Sequence, residues 1–179
     1  MISYTRGACL NSLYVIFEMK TILLILTLIP PLVYSDDLPQ VDKVLVNKSL
    51  HKMYLVKNDK TLREYNISLG GNPFGHKERE GDQRTPEGQY ILDYKKSDSA
   101  FYKAIHISYP NAQDKNIAKK KGVDPGGAIM IHGQRNGYGW VSLIAQFFDW
   151  THGCIAVTNS EIDEIWSAVN EGTPIEIFP

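Results

Sequence analysis

The chain has 179 residues and, with 19 Lys and Arg against 20 Asp and Glu, a formal net charge of −1. That length supports one domain with a real core, and the near-neutral balance offers no basic face for nucleic acid. The one basic cluster, Lys119-Lys120-Lys121, is flanked by Gly122 and Pro125 and reads as a solvated loop rather than a binding patch.

Residues 1–18 precede a second methionine, Met19, and read as a mis-called start or an extension. From Met19, a lysine precedes an apolar run from Ile22 to Ile29 that breaks at Pro30-Pro31. This is the layout of a secretory signal over 19–35, with cleavage expected after Ser35. The run is too short and too broken to predict a permanent membrane span. Residues 36–40 follow as a short linker, and 41–179 as a single exported domain. After cleavage only Cys154 remains, so no intramolecular disulfide can form. A lone thiol retained in an exported protein points to use, although buried inert cysteines are common in cores.

Val41–Val46, Lys52–Val56 and Thr61–Leu69 alternate apolar with polar residues, predicting antiparallel strands joined by tight hairpins. Gly70-Gly71-Asn72-Pro73 ends the third. The segment Gly81–Gly88 turns at Thr85-Pro86-Glu87-Gly88 and returns as a strand over Gln89–Tyr94. Ala104–Ser108 is the next strand. Asn111–Val123 is polar and reads as a long loop with room for a helical turn. Gly126-Gly127 leads into a strand, Ala128–Ile131, that ends at His132. Val141–Phe148 suits a short helix or lid over that site. Thr158-Asn159-Ser160-Glu161 is a capping-box pattern opening a helix, with Ile162, Ile165, Trp166 and Val169 at helical spacing and a stop at Gly172. Pro174–Phe178 forms a last strand. Many short strands without βαβ alternation predict a mainly β domain, a sandwich or small barrel, with one helix in its C-terminal region.

Chemistry concentrates between Ile129 and Asn159. Cys154 follows Gly153 and lies two residues after His152, with His132-Gly133 upstream. A thiol needs a base within reach, and flexible flanking residues let backbone amides face a developing oxyanion. The amides of Gly153 and Cys154 suit that role. In an extended stretch, positions 152 and 154 face one side, so His152 can reach the thiol, whereas His132 needs the fold to bring it there. Spacing alone leaves the base undetermined. Zinc is disfavoured because the His-Gly-Cys spacing is cramped and no fourth ligand stands out. No metal and no cofactor are expected.

Thr151-His152-Gly153-Cys154, with His132-Gly133 upstream, resembles the signature of the L,D-transpeptidase catalytic domain (YkuD) family. The stretch Gly81-Asp82-Gln83-Arg84-Thr85-Pro86-Glu87-Gly88 resembles that family's second recurrent motif, and the likeness runs from Val41 to Pro179. The resemblance implies an L,D-transpeptidase-like β-sandwich or barrel acting on peptidoglycan stem peptides in the periplasm or cell envelope of a bacterium. It makes Cys154 the nucleophile and His132 the base, with its other nitrogen held by a backbone carbonyl near Gly133. His152 then shapes the site, and the Gly153 and Cys154 amides form the oxyanion hole. The acyl group of a tetrapeptide stem, freed of its terminal D-alanine, would pass to another stem in a 3→3 cross-link or to an envelope protein.

Two features depart from the family pattern. Eighteen residues separate His132 from Thr151, and the aromatic-rich insertion Gly137–Trp150 suits a lid or substrate wall as well as a packed connector. Ala156 stands where many members carry arginine or asparagine, and some members that detach proteins from peptidoglycan have alanine there. This favours as alternatives an L,D-carboxypeptidase or an amidase releasing a peptidoglycan-linked protein. A non-catalytic wall-binding module is the alternative from a different class. Arg84 suits a substrate carboxylate or, before a Thr-Pro turn, a structural salt bridge. Tyr138 and Trp140 suit the cleft or the core, while His76 and His106 read as surface or core groups.

Overall fold

The expected alternation becomes one curled sheet in a computed structural model that describes residues 38–179. The signal and start expected within residues 1–35 lie outside the described residues. Strands β1 (Lys43–Asn47), β2 (Lys52–Lys57) and β3 (Lys60–Asn66) form an antiparallel meander. Strands β4 (Gly88–Ser99), β5 (Tyr102–Ile107) and β6 (Met130–His132) form a second antiparallel block. The last strand, β8 (Thr173–Phe178), lies between the two, parallel to β1 and antiparallel to β4. A two-residue strand, β7 (Ile155–Ala156), pairs in parallel with β6 and completes the order β3-β2-β1-β8-β4-β5-β6-β7. The chain just after β3 reaches back to that far edge. Ser68 and Ala156 exchange both main-chain hydrogen bonds at 2.9 Å, and Gly70 bridges Thr151. The sheet thereby curls toward closure, which protects its edges.

The inward faces supply the core. Val44, Val46, Met53, Leu55, Leu92, Ile107, Ile131, Ile155 and Ile175 are at most 1% exposed. Helix α3 (Asn159–Ala168) seals it with Ile162 and Ile165, both fully buried and each contributing about 2 kcal/mol. The expected capping box is present: the Thr158 hydroxyl accepts from the Glu161 N–H, and the Glu161 carboxylate accepts from the Thr158 N–H.

Three expectations change. The polar stretch after Pro110 is a ten-residue helix, α1 (Ala112–Lys121), not a loop. Its few apolar residues hid it, but its ends are well made. Asn111 caps the N–H groups of Gln113 and Asp114, Asp114 returns to the Asn111 N–H, and Gly122 closes the helix at φ 67°. The lysine cluster is thus its last turn, where cations complement the helix dipole. The helix expected over 141–148 shrinks to a 3₁₀ turn, Gly139–Val141, and the single-turn α2 (Ser142–Ala145). Strand β4 runs on to Ser99, with irregular register against β5. Among the described residues no helix is long and apolar enough to cross a membrane.

Candidate active site

The pairing of β6 with β7 decides what stands near the thiol. Ile131 faces Ile155 and His132 faces Ala156, so the end of one strand and the start of the other carry His132 and Cys154 to a common mouth. A cavity of about 600 Å³ opens there, and His132, His152 and Cys154 all line it. His132 is buried, Cys154 half-buried and His152 exposed.

The buried imidazole has a defined tautomer. Its Nδ1 lies 2.6 Å from the Gly133 carbonyl oxygen; a carbonyl only accepts, so Nδ1 carries the proton and Nε2 presents a lone pair. Phe101 and Trp150 pack on the ring at centroid distances of 4.6 and 5.8 Å. Burial pushes the His132 pKa below its ordinary value, against the smaller opposing effect of the Gly133 bond. Burial also pushes the Cys154 thiol up, opposed by a main-chain hydrogen bond from Met130 and by the Lys77 charge. Both shifts favour the neutral thiol and imidazole over an ion pair. The thiol Sγ lies 3.7 Å from the Ala128 carbonyl oxygen.

Thr151 organises the turn before the thiol. Its buried hydroxyl donates to the Cys154 carbonyl at 2.7 Å and accepts the Gly153 N–H at 3.1 Å. The Gly153 amide, expected as an oxyanion donor, is therefore engaged within the turn. Gly153 itself has φ +117°, and a Cβ there would sit 2.5 Å from the Arg84 carbonyl oxygen. At Gly70, a Cβ would meet the Gln83 carbonyl oxygen at 2.0 Å. These two glycines let the Gly81–Gly88 loop run directly behind the Thr151–Cys154 turn.

Asp82 ties that loop together. Its carboxylate accepts from the N–H groups of Glu78, Arg79 and Arg84 and from the Lys77 ammonium, at 2.7 to 3.1 Å. Burial alone would raise its pKa, but these donors outweigh burial and hold it at about 2. The Arg84 side chain points away from the thiol cavity into a separate cleft with Asn72 and Lys121. It makes no ion pair with a carboxylate among the described residues: Nη1 donates to the His76 carbonyl at 3.4 Å, and Nε is buried without a partner. The salt bridge expected of it is made instead by Lys77 and Asp82.

The other expected residues divide. Tyr138 lines a neighbouring hollow with Arg135 and Trp150, while Trp140 is 82% exposed and lines neither cavity. The insertion is held along one side, where Ser68 Oγ donates to the Ala145 carbonyl and Asp149 accepts from the Leu69 N–H. It therefore combines a tethered connector with one residue that lines the thiol cavity, Trp150. His76 and His106 pair with Asp114 and Asp93, away from the thiol. Sequence reasoning passed over Phe101, Trp150, Gln134 and Asn159. Gln134 Nε2 donates to the Val157 carbonyl and its N–H to Asn159 Oδ1, strapping the His132 loop to the start of α3. Trp150 was findable from its place beside Thr151; Phe101, in the turn between β4 and β5, reaches the site only through the pairing of those strands.

A buried imidazole with a free lone pair and a thiol in one cavity define a candidate cysteine acyl-transfer site on a mainly β fold. Residues 42–177 match the L,D-transpeptidase catalytic domain (YkuD) family model, and the chain belongs to that family. It is 38% identical over 110 residues to YafK of Escherichia coli (strain K12), which is named only provisionally as an L,D-transpeptidase; the match covers 60% of this chain and 37% of YafK. The helical cell shape determining protein Pgp2 of Campylobacter jejuni superposes with a TM-score of 0.56 at 25% identity, over 79% of this chain and 50% of that one. An L,D-transpeptidase of Xylanimonas cellulosilytica shares the fold at TM-score 0.50 and 15% identity, over 78% of this chain and 61% of its own. The chain thus spans little more than a third of YafK and half of Pgp2.

Proposed function

We propose that this chain is an exported peptidoglycan L,D-transpeptidase in which Cys154 is the nucleophile and His132 the base. The observation that supports this most is the pinned His132 tautomer, whose Nε2 lone pair belongs to a residue lining the same cavity as the thiol. Nε2 takes the thiol proton as Sγ attacks the carbonyl of the third residue of a tetrapeptide stem. The Cys154 N–H receives the developing oxyanion, and the Gly153 N–H joins it if released by Thr151. Collapse expels the terminal D-alanine, whose amine takes the proton from His132, and leaves a thioester. An amine of a second stem or of an envelope protein then attacks, returning its proton through His132. His152, at the rim, borders the path of the incoming peptide.

Incubation with purified muropeptides tests this reading by mass spectrometry. The wild type forms a thioester at Cys154 and a 3→3 dimer, and Cys154→Ala forms neither. Retained activity in the alanine variant refutes the assignment. Ala156 favours a second reading, because it is fully buried in β7 and bonded on its main chain to Ser68, leaving no side chain to meet an acceptor. Tripeptides or freed protein in place of dimers identify a hydrolase with the same nucleophile.

A further inference from the structure

The cavity that holds the thiol is one-sided in charge. Among the described residues that line it, two are cationic, Lys96 and Arg135, and none is Asp or Glu. Elsewhere six lysines, Lys43, Lys48, Lys52, Lys77, Lys103 and Lys121, each meet a carboxylate within 3.2 Å. Arg135 has no ion pair among the described residues and instead lies over the Tyr138 ring, 5.9 Å from its centroid. The nearest countercharge to Lys96 is Asp98 at 3.8 Å, itself 86% exposed, a geometry that neutralises little.

Register places these cations relative to the chemistry. Lys96 pairs with Ala104, and Ala104 pairs with His132. Lys96 therefore stands in the same cross-strand row as the imidazole, two strands away, or about 10 Å between Cα atoms. Only the Ala104 methyl lies between them in that row. Arg135 follows His132 by three residues, on the loop that leaves β6.

We propose that Lys96 and Arg135 form a carboxylate subsite that reads a free carboxylate of the acyl donor while its carbonyl sits at Cys154. The planar guanidinium suits two-point contact with a carboxylate, and the ammonium on its flexible stem adds a second charge. Two such groups flank the reacting carbonyl of a donor stem: the carboxylate at the far end of a diamino-acid side chain, and the α-carboxylate of the terminal D-alanine. The subsite deepens the transpeptidase reading and rests on it for the identity of the donor, but not for its charge preference.

Two measurements on wild type, Lys96→Met, Arg135→Met and the double variant test the subsite. Both residues are exposed, so the variants keep the fold, checked by equal urea midpoints. The first compares alkylation of Cys154 by iodoacetate and by iodoacetamide, whose rate ratio cancels the thiolate fraction. The double variant lowers that ratio about fivefold at low ionic strength, and added salt brings the wild type toward it. An unchanged ratio overturns the proposal. The second compares three tetrapeptide donors: the free acid, one amidated at the side-chain carboxylate and one amidated at the C-terminus. The wild type loses about tenfold in kcat/KM on one of the amides, which identifies the carboxylate read, and the double variant levels that difference. Equal use of all three by the wild type overturns the subsite. If no stem peptide acylates the thiol while the alkylation ratio still falls in the double variant, the carboxylate subsite stands and the transpeptidase reading fails.

Discussion

Replacing Asp82 by Asn removes a charge from the loop behind Cys154 without changing its size. The carboxyl drops from its ordinary 3.8 to about 2 in the folded chain, with a side chain only 8% exposed. At about 1.4 kcal/mol per unit, that depression contributes about 2 kcal/mol of stability. A depressed carboxylate stabilises fully above its unfolded pKa and loses the effect as pH falls through its folded pKa, so the window runs from about pH 5 down to pH 1. Lys77, 4% exposed, is also left without its partner, which brings the cost at neutral pH to about 3 kcal/mol. Urea unfolding of wild type and Asp82→Asn at pH 7 and pH 3 tests both parts. By pH 3 the unfolded carboxyl is mostly protonated, and the gap between the proteins narrows by about 1 kcal/mol. The same gap at both pH values, or no gap at pH 7, refutes the assignment of Asp82 as the charged knot of this loop.

Two further outcomes follow from the geometry of the site. Because burial holds His132 below its ordinary pKa of 6.5 and the proposed base acts with its lone pair free, acylation falls at acidic pH with a midpoint below 6.5; a pH–rate profile with its acidic midpoint at or above 6.5 refutes this. Gly153→Ala meets the Arg84 carbonyl at 2.5 Å in a backbone conformation that alanine resists, costing about 3 kcal/mol in urea unfolding and slowing Cys154 acylation; a variant as stable and active as wild type refutes the close passage of the loop.

Period-2 alternation predicted the strands well because most lie half-exposed, with one face in the core: β1 buries Val44 and Val46 between half-exposed neighbours. Helix α3 was legible for a similar reason, since its cap and apolar stripe are both local. Helix α1 failed because hydrophobic periodicity carries no signal in a helix that buries only Asp114 and Ala118. Its cap, Asn111 with Asp114 three residues on, and its terminal Gly122 stand in the sequence and would have identified it.

The site was legible where its residues are neighbours and obscure where pairing assembles them. Thr151, His152, Gly153 and Cys154 form one local turn. Phe101 and Lys96 reach the cavity only because β4 and β5 pair with register shifts between Leu92 and Lys95 and between Lys96 and Ser99. Each shift alters which residues share a face. The same limit explains the oxyanion donors. Glycine beside cysteine correctly marks a flexible turn, but the turn's freedom at Gly153 serves the passage of the Arg84 carbonyl, and its N–H already meets the Thr151 hydroxyl. A glycine next to a nucleophile therefore signals close packing before it signals a free amide, and the two uses separate only when the neighbouring loop is in view.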